Sequence, residues 1–269
     1  MRRFRQIIIL TCLVILFTNV MVPIKSEAAE SQPKLYKDEL YVAFFNLPDG
    51  EATLINVKDG PNILINTGSK QSEESLLSQL KELNISMIDT LILTKQTNDY
   101  CGNTKRIVDR FKIEEIVHAG DINETCMGDL PQEQFNQWKT SDLNEVSDQL
   151  FFKVLKAEID GEMSLAITYG ETSVMYLSTS DVKDEEEILN YPLEPEILKI
   201  ADYGTGQSPS SSFLTEIDPH LSVVFNCENC IPNEGLIERL NESWIDVYHL
   251  ERVGTTIIRM NLDTYEVVS

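Results

Sequence analysis

Basic residues are scarce: the 269 residues include 22 Lys and Arg against 44 Asp and Glu, a formal net charge of −22. Affinity for nucleic acid rests largely on Lys and Arg contacts to phosphate, and no long basic run compensates, so the composition argues against a nucleic-acid partner. The acidity reads as a solvated, soluble exterior, or alternatively as a surface aimed at a cationic partner. The nucleophile-elbow pattern Gly-x-Ser-x-Gly is absent, and no Ser/His/Asp arrangement is apparent. P-loop, dinucleotide-binding and EF-hand patterns are also missing, which removes the commonest routes to nucleotide and calcium binding. No internal repeat is visible. A second Cys-x-x-Cys and a His pair at zinc spacing are lacking as well.

What is present begins with a targeting segment. Arg2, Arg3 and Arg5 precede an apolar stretch from Ile7 to Val22, and small residues at Ser26 and Ala28 suit signal-peptidase cleavage after Ala28. The apolar run is short for a bilayer span of about 20 residues. The expectation is therefore a secreted or extracytoplasmic protein with residues 1–28 as signal peptide. An uncleaved N-terminal anchor is the alternative and the only membrane contact expected. Cys12, inside the apolar run, is a poor lipoprotein cysteine. Cleavage would take four of the basic residues and one acid, leaving 18 against 43, a net −25. Four cysteines remain: Cys101, Cys126, Cys227 and Cys230. Outside the cytoplasm an even count favours disulfides. The Cys-x-x-Cys at Cys227–Cys230 reads first as a disulfide, with a redox pair or half a zinc site as alternatives. Cys101 with Cys126 follows only by elimination.

Residues 29–40 read as a polar linker, and 41–269 as one large α/β domain. Strands are expected at 41–46, 52–57, 62–66, 89–94 and 115–118, then at 151–155, 165–169, 173–177, 197–200, 221–225, 246–249 and 255–261. Helices are expected at 72–83, 103–111, 184–190, 210–217 and 233–241. In the first of these, Leu76, Leu77, Leu80 and Leu83 recur at the spacing of a buried helical face. Residues 120–150 are polar and read as an insertion or loop over one face. Strands and helices alternate through two halves, the pattern of a layered α/β fold.

The order of short motifs resembles the metallo-β-lactamase superfamily, and most of all the hydrolase domain of ComEC-type competence proteins. Pro48-Asp49-Gly50-Glu51-Ala52 matches that group's Gly-x-Gly-Asp-Ala turn. Ile65-Asn66-Thr67-Gly68 matches Ile-Asp-Thr-Gly, and Leu91-Ile92-Leu93-Thr94 is intact. Thr179-Ser180-Asp181 stands for Thr-Gly-Asp, and Leu198 to Thr205 for Leu-Lys-Val-x-His-His-Gly-Ser. The resemblance runs from about Tyr41 to about Ile258 and implies a four-layer αββα sandwich.

The departures bear on function. Members of the group hold metal through the histidines of His-x-His-x-Asp-His and His-His; the matching positions here are Lys95, Thr97, Tyr100, Asp202 and Tyr203. The chain's three histidines, His118, His220 and His249, fall elsewhere. Of the family's carboxylates, Asp99 and Asp181 persist, although both also suit ordinary capping of helices. A protonated amine at Lys95 has no lone pair for a metal, but it brings positive charge to a pocket holding Asp99, Asp181 and Asp202. Tyr100 and Tyr203 have the bulk to fill the space of the lost imidazoles.

Three functions remain open from the sequence. The first is a non-catalytic pseudoenzyme that binds an unidentified protein or small ligand, with no metal or cofactor expected and zinc disfavoured. The second is an ester or phosphodiester hydrolase whose carboxylate-only site, Asp99, Asp181 and Asp202, takes Mg, Mn or Ca, metals suited to oxygen ligands. The third is a structural or regulatory secreted protein whose pocket takes no ligand.

Overall fold

The computed structural model describes residues 33–268, so the expected signal peptide lies outside the described residues. The strands fall into two sheets. The first half of the chain supplies β1 (Glu39–Phe44), β2 (Thr53–Val57), β3 (Asn62–Ile65), β4 (Thr90–Ile92), β5 (Glu115–His118) and β6 (Phe135–Gln137). The second supplies β7 (Leu143–Ser147), β8 (Leu150–Ala157), β9 (Met163–Tyr169), β10 (Thr172–Tyr176), β11 (Ile197–Lys199), β12 (Leu221–Val224) and β13 (Asp246–His249). The chain then returns to the first sheet with β14 (Thr256–Asn261) and β15 (Tyr265–Val267). The strand orders are β15-β14-β1-β2-β3-β4-β5-β6 and β13-β12-β11-β10-β9-β8-β7.

Both faces of each sheet are covered, which explains why central strands such as β1 and β10 are buried along nearly their whole length rather than alternately. In β1, Leu40, Val42 and Phe44 point into the core between the sheets, where they join Phe152, Leu165, Val174 and Val223. Tyr41 and Ala43, on the opposite face, pack under helices α1 (Glu73–Glu82), α2 (Asn98–Cys101), α3 (Thr104–Phe111) and α4 (Glu124–Met127). Leu76 and Leu80 of α1 and Ile107 of α3 are fully buried there, each worth about 1.5–3 kcal/mol of transfer free energy. The outer face of the second sheet is covered by α5 (Glu185–Ile188), α6 (Ser211–Ile217) and α7 (Glu234–Glu242), through Ile188, Phe213, Leu214, Ile217, Leu236 and Leu240. A short α8 (Leu250–Val253) leads into β14. The result is helices, sheet, sheet, helices: the layered α/β sandwich expected from the sequence.

The segment 120–150 is corrected. It is not a loop over one face but carries α4, β6 and β7, each of the last two lying at one edge of its sheet. Their sequences, Phe-Asn-Gln and Leu-Asn-Glu-Val-Ser, are mostly polar because one side of an edge strand faces solvent. Cys101 of α2 and Cys126 of α4 form a disulfide with Cα atoms 5.3 Å apart, both 1% exposed. Cys227 and Cys230 form a second, in the loop after β12. Among the described residues no helix is long and apolar enough to cross a membrane.

Candidate functional site

β3 and β4 run parallel to each other, as do β10, β11 and β12. Their carboxyl ends therefore open on one rim of the sandwich, the place where α/β sheets commonly hold ligands. The turn 48–51, the segment 94–100 after β4, the segment 177–181 after β10 and the turn 202–204 after β11 all meet there.

Two backbone features fix these segments. Gly50 has φ +95°, and a Cβ on it would lie 2.2 Å from the Asp99 carbonyl oxygen. Its lack of a side chain lets the 48–51 turn approach the 98–101 helix, where Glu51 N donates to Asp99 O at 3.0 Å. Asp202, Tyr203 and Gly204 have φ of 45°, 58° and 73°. Consecutive left-handed residues other than glycine are costly and mark a segment held by its surroundings.

Lys95 is clamped between two carboxylates. Its Nζ lies 2.7 Å from Asp202 Oδ1 and 3.0 Å from Glu162 Oε2. Asp202 Oδ1 also accepts from the Tyr100 hydroxyl at 3.3 Å, and Oδ2 accepts from Ser180 Oγ at 2.7 Å. Burial works to lower the Lys95 pKa, but Asp202 and Glu162 outweigh it and hold the ammonium above its ordinary value. Burial likewise works to raise Asp202, yet Lys95, Ser180 and Lys199 bring its carboxyl below the usual range. Burial raises the Glu162 carboxyl, and Lys95 offsets this only in part.

A second, deeper ion pair lies beneath the first. Lys199 and Glu51 are in direct contact and both are completely buried. Lys199 also donates to the Leu177 carbonyl at 3.1 Å. Its ammonium sits 4.6 Å from the centre of the Tyr176 ring and 5.7 Å from those of Tyr100 and Phe225, within the range of cation–π attraction. Glu51 accepts from the Tyr100 hydroxyl at 3.2 Å and from Tyr176 at 3.5 Å. Burial pushes the Glu51 carboxyl up to about 7 despite Lys199, and pushes the Lys199 amine down. The Tyr100 phenol bridges the two pairs, touching Glu51 on one side and Asp202 on the other, and its pKa is raised well above the ordinary value, mainly by burial.

The residues singled out in the sequence are distributed as follows. Lys95, Tyr100 and Asp202 form one hydrogen-bonded group. Asp99 accepts from the Tyr203 hydroxyl at 2.6 Å, and the Tyr203 ring lies 6.0 Å from that of Tyr100. Thr97 is exposed and serves α2 through its carbonyl, which accepts from Tyr100 N and Cys101 N. Asp181 is exposed and caps the turn 182–184, its carboxylate accepting from Lys183 N at 3.0 Å. Glu51, Glu162, Ser180 and Lys199 were not singled out in the sequence. Lys199 had a signal: a lone charge inside the apolar run Ile197–Ile200, on the same strand face as Ile197. Glu162 had none, since it sits in the hairpin before β9, far from every motif.

The donor set fits a resident transition metal poorly. A metal ion needs lone pairs, whereas the groups converging here are an ammonium, phenol and serine hydroxyls that donate, and the carboxylates of Asp202, Glu162 and Asp99, which Lys95, Tyr100, Ser180 and Tyr203 already engage. Among the described residues no group of three or more His, Cys, Asp or Glu side chains is arranged to hold a metal ion. His118, at the end of β5, is buried with Nδ1 3.1 Å from the Ala119 carbonyl, and His220 Nδ1 lies 3.1 Å from the Tyr265 hydroxyl.

No family model matches the sequence. The chain is 22% identical over 202 residues to ComE operon protein 3 of Bacillus subtilis, a match covering 68% of this chain but 26% of that protein. Among solved structures it resembles the metallo-β-lactamase fold protein YhfI of Bacillus subtilis, with a TM-score of 0.57 and 12% identity, over 79% of this chain and 96% of that one. It also resembles Igni18, a metallo hydrolase from Ignicoccus hospitalis, with a TM-score of 0.54 and 16% identity, over 85% and 99% of the two chains. The chain has the metallo-β-lactamase fold.

Proposed function

We propose that this is an exported, non-catalytic protein of the metallo-β-lactamase fold that acts by binding a ligand or partner at the rim of its sandwich. The observation that carries the reading is the clamp on Lys95, 2.7 Å from Asp202 and 3.0 Å from Glu162. By the motif resemblance Lys95 takes the first ligand position, so an internal cation would stand where a metal would otherwise polarise water. Glu51 and Lys199 form a comparable pair one layer deeper, so the chain's own amines offset part of the site's negative charge. Hydrolysis by water activated on a metal has no obvious place in such an arrangement, whereas the half-exposed Lys95, Asp202 and Asp99 offer charges of both signs to a ligand. Export is supported by the signal-like residues 1–28 and by the two disulfides, which suit an oxidising compartment.

The test is metal content of the purified protein by mass spectrometry, followed by assays with ester and phosphodiester substrates with and without added Mn²⁺. The expected result is sub-stoichiometric metal and no hydrolysis above that of a Lys95→Ala variant. Stoichiometric bound metal together with Mn²⁺-dependent turnover would overturn the reading and favour a hydrolase using Asp99, Asp181 and Asp202.

A further inference from the structure

The two disulfides occupy opposite environments. Cys101 and Cys126 are each 1% exposed beneath helices. Cys227 and Cys230 are only partly buried, and the two residues between them, Glu228 and Asn229, are exposed. Ile231, next along the chain, is 83% exposed and offers an apolar contact beside the bridge.

The loop carrying this second bridge joins the two turns that form the site. On one side Glu228 N donates to Asp49 Oδ1 at 3.1 Å, Gln71 donates to the Glu228 carboxylate at 3.0 Å, and Asn226 Nδ2 reaches the Leu47 carbonyl at 3.4 Å. The bonds to Asp49 and Leu47 hold the 47–51 turn, which presents Glu51. On the other side Asn233 N donates to the Gly204 carbonyl at 2.8 Å, and Asn233 Nδ2 to that of Gly206 at 3.0 Å. These hold the left-handed turn that presents Asp202 and Tyr203. At the base of the loop, Phe225 closes over the Lys199 ammonium.

We propose that Cys227–Cys230 is a thiol–disulfide exchange site whose oxidised form clasps the two turns together and whose reduction releases them. The co-reactant is a dithiol, either a small one or the active-site pair of a thiol–disulfide oxidoreductase. A thiolate of the dithiol attacks one bridge sulfur, the S–S bond breaks, and a mixed disulfide forms with one cysteine while the other leaves as thiolate and takes up a proton. The second thiol of the dithiol then displaces the remaining cysteine. The net change is two electrons and two protons passed to the protein, which ends as two thiols, while the dithiol becomes a disulfide. Asp49 and Gln71, whose side chains hydrogen-bond to this loop, and the loop's own Glu228 bring no positive charge to steady a thiolate. The oxidised, clasped form is therefore the resting one in an oxidising compartment.

The full chain is exposed to dithiothreitol under native conditions, quenched over time with iodoacetamide, and mapped by peptide mass spectrometry. Cys227 and Cys230 are expected to be labelled about 100-fold sooner than Cys101 and Cys126, because the inner bridge is reached only through larger unfolding. Hydrogen exchange of the selectively reduced protein, and of a C227A/C230A variant, is expected to show about a tenfold loss of amide protection at residues 47–51 and 202–206, with β3 and β11 unchanged. The reduced wild type supplies this readout if the variant does not fold. Simultaneous reduction of both bridges would overturn the assignment of an exchange site. Selective reduction without any change in protection at the two turns would overturn the clasp.

Discussion

Replacing Lys199 with Met removes the ammonium from a pair that is wholly shielded from water while keeping most of its aliphatic volume. Glu51 is then left in the same enclosure with the Tyr100 and Tyr176 hydroxyls as its donors. Breaking a buried pair from one side costs about 3–5 kcal/mol, because the surviving charge has lost both water and partner. A domain is stable by only about 5–15 kcal/mol, so the loss is a large fraction of the total. The Glu51 carboxyl, already at about 7 with Lys199 beside it, climbs further without the cation and is protonated at neutral pH. An acid whose folded pKa is raised stabilises the fold as pH falls from that value toward its unfolded value of about 4.3, so the variant should gain stability on mild acidification. Adding Glu51→Gln replaces the carboxyl that must otherwise take up a proton or stay charged without a partner, and should recover at least half of the loss. The assay is urea unfolding of wild type, both single variants and the double variant at pH 7, read as a double-mutant cycle with a coupling energy of a few kcal/mol. A cost below about 1 kcal/mol for Lys199→Met, or a double variant no more stable than that single one, would refute the claim that charge compensation holds these residues together.

Two further outcomes are expected. Asp202 lies below its ordinary pKa, chiefly through Lys95. The stability it contributes is therefore present above about pH 4 and lost as pH falls through the lowered value, and Asp202→Asn should flatten the acid limb of a stability–pH profile in that range. A flattening confined to alkaline pH would contradict the pairing with Lys95. Gly50→Ala should cost about 3 kcal/mol or more in thermal or urea unfolding, since its Cβ meets a carbonyl oxygen at 2.2 Å and φ is +95°; a near-neutral result would show that the 48–51 turn does not rest against α2.

Much of the architecture was legible because it rests on apolar residues at the spacing of a strand or a helix face. Strands such as Leu221–Val224 and helices such as Ser211–Ile217 bury enough surface to announce themselves, and the motif order carried the fold class. The edge strands β6 and β7 were not legible, since a polar trimer or pentamer paired on one side has almost no period to read. Nor was the short β15. In the site, the motif positions led to Lys95, Asp99, Tyr100, Asp202 and Tyr203. They did not lead to Glu162, which reaches Lys95 only through tertiary approach, or to Glu51, which read as a turn residue. Asp181 shows the opposite case: a residue marked by its motif whose carboxylate here serves a local turn. Ser180 stands where the related turn has glycine, and its added hydroxyl satisfies one oxygen of Asp202; that compensation is visible only once the two turns are seen together.

The placement of β1 between β2 and β14 has a consequence for how the molecule is made. Glu39 faces Asn261 across the sheet, and Asn46 donates to a hydroxyl 209 residues further on. Until the ribosome has delivered that distant stretch, the earliest strand has a naked flank, the kind of open ladder that recruits strands from other molecules. Pairings of such long range also slow the search for the native state. A nascent chain of this protein therefore carries an unpaired strand edge through most of its synthesis.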